Sequence, residues 1–85
     1  MVYATDVLTA AKAEALFSSH LQTGSCPAPT EVVAAIARAV EAHGGWTGCT
    51  AVVAGEYREH PDVAVPRMRW ALNLTIRTAR PDVAI

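Results

Sequence analysis

Residues 30–45 read TEVVAAIARAVEAHGG, and this stretch decides the fold class. Its apolar side chains recur at the three- and four-residue spacing of one helix face: Val32, Val33, Ile36, Ala37 and Val40. Thr30 is the predicted N-cap, because its hydroxyl can accept a hydrogen bond from the first turn. The glycines that follow His43 end the pattern. The stretch therefore predicts an amphipathic α-helix over about residues 31–43.

Three more helices are predicted on either side of this stretch, over about residues 7–22, 48–59 and 62–79. Breaker residues separate the first helix from the second, and Pro61 separates the third from the fourth because the residue before a proline avoids helical geometry. A chain of 85 residues has room for about one domain. We therefore expect one compact all-α domain of four helices over residues 1–85.

The composition supports helices that pack closely on small side chains. Hydrophobic residues make up 52% of the chain, but many of them are alanine, which favours helix and buries little area. A domain of this size is marginally stable on its own, and a partner or a second copy of the chain would add stability.

Location and redox state follow from the termini and the two cysteines. The N-terminus has no basic segment followed by an apolar run, and no apolar stretch approaches the roughly 18 residues that span a bilayer. We expect a cytoplasmic protein without a membrane partner. Cys26 and Cys49 flank a helix about 20 Å long, which is too far apart for a disulfide. Both are expected to be reduced, with Cys49 buried and Cys26 exposed in a loop.

The residue types that most often act in catalysis are not spaced as they are in known catalytic motifs. The histidines and cysteines lack the paired ligands of zinc sites, and the chain has no nucleophile elbow and no phosphate-binding glycine loop. We expect no catalytic residue, no metal site and no cofactor, and hence a protein that is not an enzyme.

Residues 50–72 resemble a helix-turn-helix unit. Positions where that motif has apolar or small residues are occupied by Val53, Ala54 and Tyr57, and the inward face of its second helix would be Val65, Met68 and Leu72. The whole chain is similar to small uncharacterised helical proteins from bacteria. The resemblance implies a helix-turn-helix-like C-terminal half and a DNA-binding regulator. Two positions depart from the motif, since Arg58 stands where it usually has glycine and Pro66 lies near the start of the second helix.

The net charge of −1 hides an uneven distribution. Residues 1–66 carry a charge of −4, from three basic and seven acidic side chains. Residues 67–80 carry +4 and no acid, from Arg67, Arg69, Arg77 and Arg80. The fourth predicted helix is therefore a basic element on an acidic body, suited to phosphates or to an acidic protein surface.

Apolar residues lie on both sides of this fourth helix. Val65, Met68, Leu72 and Ile76 share one side, which we expect to face the core. The opposite side combines residue types that are enriched at binding hot spots, and we predict its members as partner-binding residues: Arg67, Trp70, Leu74 and Arg77. The alternative is that the first helix, or the turn at Trp46, covers this side within one monomer.

Two functions remain open. The first is a small non-enzymatic regulatory or adaptor protein that acts through helix-mediated protein contacts with a partner or with a second copy of itself as a homodimer. The second is a helix-turn-helix DNA-binding transcriptional regulator, whose candidate nucleic-acid contacts are Arg67, Arg69, Arg77 and Arg80.

Overall fold

Four α-helices make up the fold: α1 (Val7–Phe17), α2 (Pro29–Ala42), α3 (Trp46–Glu59) and α4 (Pro61–Ala79). The computed structural model describes residues 7–79, and it contains no strand in that range. The prediction of a compact all-α domain of four helices is confirmed.

The first helix ends at Phe17, five residues before the predicted end. The Ser19 N–H donates to the Leu16 carbonyl at 3.1 Å, which is the tighter i to i+3 turn. The Ser19 hydroxyl donates to the same oxygen at 2.6 Å. The chain leaves the helix there because these bonds, and contacts from α4 described below, satisfy the last carbonyls of α1.

The second helix begins at Pro29, two residues earlier than predicted. Its N-cap is Ala28 and not Thr30, and the Glu31 carboxylate accepts a hydrogen bond from the Ala28 N–H at 2.8 Å. Proline suits this first position because its missing N–H has no helical partner there. The buried face consists of Val32, Ala35 and Ala39. Val33, which was predicted to lie in the apolar stripe, is 67% exposed.

Two glycines, one before α3 and one in its first turn, shape the connection between α2 and α3. Gly45 has a φ of +110°, which side-chain-bearing residues rarely adopt, and α3 starts at the next residue, Trp46. Gly48 lies in the first turn of α3, where an added Cβ would overlap the His43 carbonyl group. This glycine therefore sets how closely α3 approaches the end of α2.

All four helices contribute to the hydrophobic core, and α1 contacts each of the other three. The largest fully buried side chains are Leu16, Val32 and Cys49. The burial predicted for Cys49 and the exposure predicted for Cys26 are both confirmed. Between residues 7 and 79, no helix combines the length and the apolar character that crossing a membrane requires.

Candidate contact surface on the fourth helix

The structure reverses the predicted orientation of α4. Trp70 is 8% exposed and Leu74 is 3% exposed, and both belong to the core. The indole N–H of Trp70 donates to the Ser25 carbonyl oxygen at 2.9 Å, so the loop between α1 and α2 covers this ring. The prediction that Trp70 and Leu74 form an exposed contact face is wrong. The structure shows coverage within one monomer, as the alternative considered from the sequence had it, but the acceptor of the indole hydrogen bond lies in the loop after α1 and not in the first helix or the Trp46 turn.

Arg67 is also engaged inside the molecule. Its Nε–H donates to the Phe17 carbonyl at 2.8 Å, and an Nη2–H donates to the Ser19 carbonyl at 3.0 Å. Its Nη1 group donates to the Thr23 hydroxyl at 2.8 Å. The guanidinium carbon also lies 5.0 Å from the centre of the Trp70 ring, within the range of a cation–π contact. The guanidinium is therefore occupied by α1 and the loop after it and is not available to a partner.

Burial lowers the pKa of the Arg67 guanidinium, and the nearby carboxylate of Glu56 partly offsets that effect. Arginine remains charged in proteins at physiological pH, so Arg67 keeps its full set of donors. The group acts as a charged C-terminal cap on a helix that lacks a basic residue in its own last turn.

The other predicted arginines have different positions. Arg69 and Arg77 are exposed, and neither forms a hydrogen bond or an ion pair with residues 7–79. Arg80 lies outside the described residues. The structure therefore does not assemble the predicted set, because Arg67 is enclosed while Arg69 and Arg77 lie exposed, without a partner among residues 7–79.

Small residues account for the orientation of α4. Ala64 and Ala71 are fully buried, and Thr75 is 2% exposed, so these three mark the centre of the buried face. They lie seven and four residues apart, which is helical spacing, and their small side chains let neighbouring helices pack closely against this face. The spacing of these small residues is visible in the sequence. A helical projection drawn from the bulky side chains does not use alanines to choose the buried side, so it misses this face.

One side of α4 consequently carries apolar side chains that the rest of residues 7–79 bury only in part. Val65 is 43% exposed and Ile76 is 47% exposed, although both were predicted to face the core. Met68 and Leu72 are partly buried and pack against the edge of the core. We call Val65, Met68, Leu72 and Ile76 the outer stripe. It follows the length of α4, with the exposed Arg69 beside it.

Two features of residues 7–79 bear on metal binding and on thiol reactivity. Among residues 7–79, no group of three histidine, cysteine or carboxylate side chains could hold a metal ion. Burial raises the pKa of the Cys49 thiol, with a smaller opposing effect of the Ser18 hydroxyl and a further rise from Glu14. A raised pKa disfavours the thiolate, which is the nucleophilic form.

Comparison of the chain with protein-family models, with curated proteins and with solved structures gives no match. Inferences about function therefore rest on the surface of the molecule itself.

Proposed function

We propose that this chain is a small non-enzymatic regulatory or adaptor protein that binds a second copy of itself through the outer stripe of α4. The observation that carries the proposal is the exposure of Val65 and Ile76, at 43% and 47%, on one side of the longest helix. Covering these side chains releases their surrounding water, which is the main driving force of protein association.

A second copy is favoured because the stripe is self-complementary in an antiparallel arrangement. Pairing Val65 with Ile76 of the other copy aligns the two stripes along their whole length. It also brings the first turn of one α4 beside the last turn of the other. Opposed helix dipoles would then meet at both ends of the interface.

Four apolar side chains from each copy make a small interface. Interfaces of this size belong to the weak end of specific association, so we expect a dimer that forms in the micromolar range. Its formation should be visible by sedimentation as a rise from the 9.0 kDa monomer mass towards twice that value as concentration increases.

The decisive experiment compares Val65→Gln with Val63→Gln. Val63 is 55% exposed on the same helix, and a separation of two residues places it about 200° around the helix from Val65. We expect Val65→Gln to weaken the dimer at least about tenfold, because a buried amide without a partner opposes association. Val63→Gln should leave it unchanged. A monomer at all concentrations, or equal effects of the two variants, would overturn the proposal.

DNA binding is the second candidate function, and the observation that favours it is that Arg69 and Arg77 are exposed and unpaired within residues 7–79. Of the other two arginines predicted for this role, Arg67 is occupied by α1 and its following loop, and Arg80 lies outside the described residues. The candidate predicts binding to a mixed-sequence duplex at low salt, weakened by Arg69→Ala and by added salt. Absence of binding at low salt would exclude it.

A further inference from the structure

A pocket lies between α1, α2 and α4, away from the outer stripe. Its volume is about 210 Å³. Its walls come from one residue of α1, four of α2 and two of α4: Lys12, Pro29, Val32, Val33, Ile36, Thr75 and Thr78. Most of this lining is hydrocarbon, and Val33, one of the lining residues, is 67% exposed.

The polar atoms of the α4 wall are already paired. The Thr75 hydroxyl donates to the Ala71 carbonyl at 2.8 Å, and the Thr78 hydroxyl donates to the Leu74 carbonyl at 2.9 Å. An apolar occupant would therefore leave neither donor without a partner, which is the usual cost of filling such a site.

Lys12 is the single charged residue in this lining. Its side chain is half-buried, and its ammonium group forms no hydrogen bond or ion pair with residues 7–79. The long apolar stem of lysine can cover the pocket wall while the ammonium group stays at the water boundary. The pocket thus combines an apolar interior with one cation.

We infer that this pocket binds the alkyl chain of a medium-chain fatty carboxylate, with the carboxylate beside Lys12. A cavity of about 150 Å³ with apolar walls takes up benzene. The present pocket of about 210 Å³ has room, on the same scale, for about eight carbon atoms. Octanoate is the matching probe, and ligand efficiency for so few atoms suggests a Kd between about 0.1 and 1 mM.

The inference has two parts, the burial of an alkyl chain in the pocket and the pairing of a carboxylate with Lys12. Ligands that differ in chain length and in charge test the two parts separately. Titration of ¹⁵N-labelled protein with octanoate should shift the amide signals of the pocket residues along one saturable curve. Hexanoate should bind up to about fifteenfold more weakly, because it buries two fewer methylenes. Decanoate should gain little, because the pocket is already filled. Octan-1-ol should bind about two- to fivefold more weakly than octanoate, the range expected for one exposed ion pair.

Matched variants locate the site. Val33→Gln places an amide in the pocket lining and should weaken octanoate binding at least about fivefold, whereas Val63→Gln, at an exposed valine outside the pocket, should have no effect. Lys12→Gln should remove the preference for octanoate over octan-1-ol while the alkyl chain still binds. Circular dichroism of each variant establishes that the helices are intact.

Three results would overturn the inference. They are the absence of saturable shifts with octanoate, equal losses in Val33→Gln and Val63→Gln, and equal affinity for octanoate and octan-1-ol in the unmodified protein. These outcomes are independent of the proposed dimer, whose interface uses a different side of α4.

Discussion

The Nε–H of Arg67 donates to the carbonyl oxygen of Phe17 across a distance of 2.8 Å, although the two residues are 50 positions apart. Phe17 is the last residue of α1, and Arg67 lies in the second turn of α4. The guanidinium carbon also lies 5.7 Å from the centre of the Phe17 ring. This pair therefore joins the end of one helix to the flank of another, through a hydrogen bond and a cation–π contact.

Replacing Arg67 by lysine should destabilise the fold by about 2 kcal/mol, because an ammonium group cannot reproduce the planar set of donors that reaches Phe17, Ser19 and Thr23. Urea denaturation followed by circular dichroism measures the difference. Arg69→Lys is the matched control, since Arg69 is exposed and unpaired among residues 7–79, and it should change stability by less than about 0.5 kcal/mol. Similar losses in both variants would contradict the capping role.

The two tryptophans should differ sharply in their contribution to stability. Trp70 is 8% exposed and Trp46 is 44% exposed. Trp70→Ala should cost about 3–5 kcal/mol, which approaches the whole stability of a small domain, and the milder Trp70→Phe keeps the test within a measurable range. Trp46→Ala should cost less than about 1.5 kcal/mol. Thermal unfolding gives the ranking, and a Trp70→Phe variant as stable as the unmodified protein would refute the assigned burial.

Two glycines of α3 should respond in opposite directions to alanine. At Gly48 an added Cβ overlaps the His43 carbonyl group, whereas at Gly55 it meets nothing within 4 Å. Gly48→Ala should destabilise the protein by about 2 kcal/mol or more, because α3 must move away from α2. Gly55→Ala should stabilise it by about 0.5–1 kcal/mol, since alanine restricts the unfolded chain. Equal signs in a urea series would disprove the close approach at Gly48.

The two thiols should react at very different rates. Cys26 is exposed and Cys49 is fully buried. At mildly alkaline pH, an aromatic disulfide reagent should modify Cys26 rapidly and Cys49 only as fast as the protein opens. Cys26→Ala should abolish the fast phase, and Cys49→Ala should abolish the slow one. Two fast phases in the folded protein would be inconsistent with the buried position of Cys49.

The Cys49 thiol should also make stability depend on alkaline pH. Burial raises its pKa in the folded state above the unfolded value, so the folded state retains this proton longer. The resulting stability is fully present below about pH 8.5 and is lost as pH rises through the folded pKa. Comparing denaturation midpoints of the unmodified protein and Cys49→Ala between neutral and alkaline pH isolates the effect. A parallel decline in both would assign it to other groups.

Local signals in the sequence were sufficient for the secondary structure of much of the chain. The apolar periodicity of α2, the glycines after His43 and the proline at position 61 act within a few residues, and the structure has helices and breaks close to where they predict them. The predicted end of α1 is five residues too late. The actual end depends on Arg67 of α4, and no residue near Phe17 in the sequence indicates that contact.

The contact surface was misassigned for a related reason. Both sides of α4 are apolar, so the side that carries Trp70 and the side that carries Ile76 satisfy the same pattern. The choice between them depends on how the neighbouring helices pack where Ala64 and Ala71 leave room, and on the carbonyl groups that Arg67 reaches.

By itself, the sequence determined that this chain is all-α with four helices, because helix propensity, capping and chain breakers are properties of neighbouring residues. Only the tertiary structure decided which side of α4 is buried. That choice is made by close packing and by hydrogen bonds between residues far apart in the chain, and no periodic pattern within a single helix encodes it. The same choice leaves the outer stripe open and forms the pocket beside Lys12.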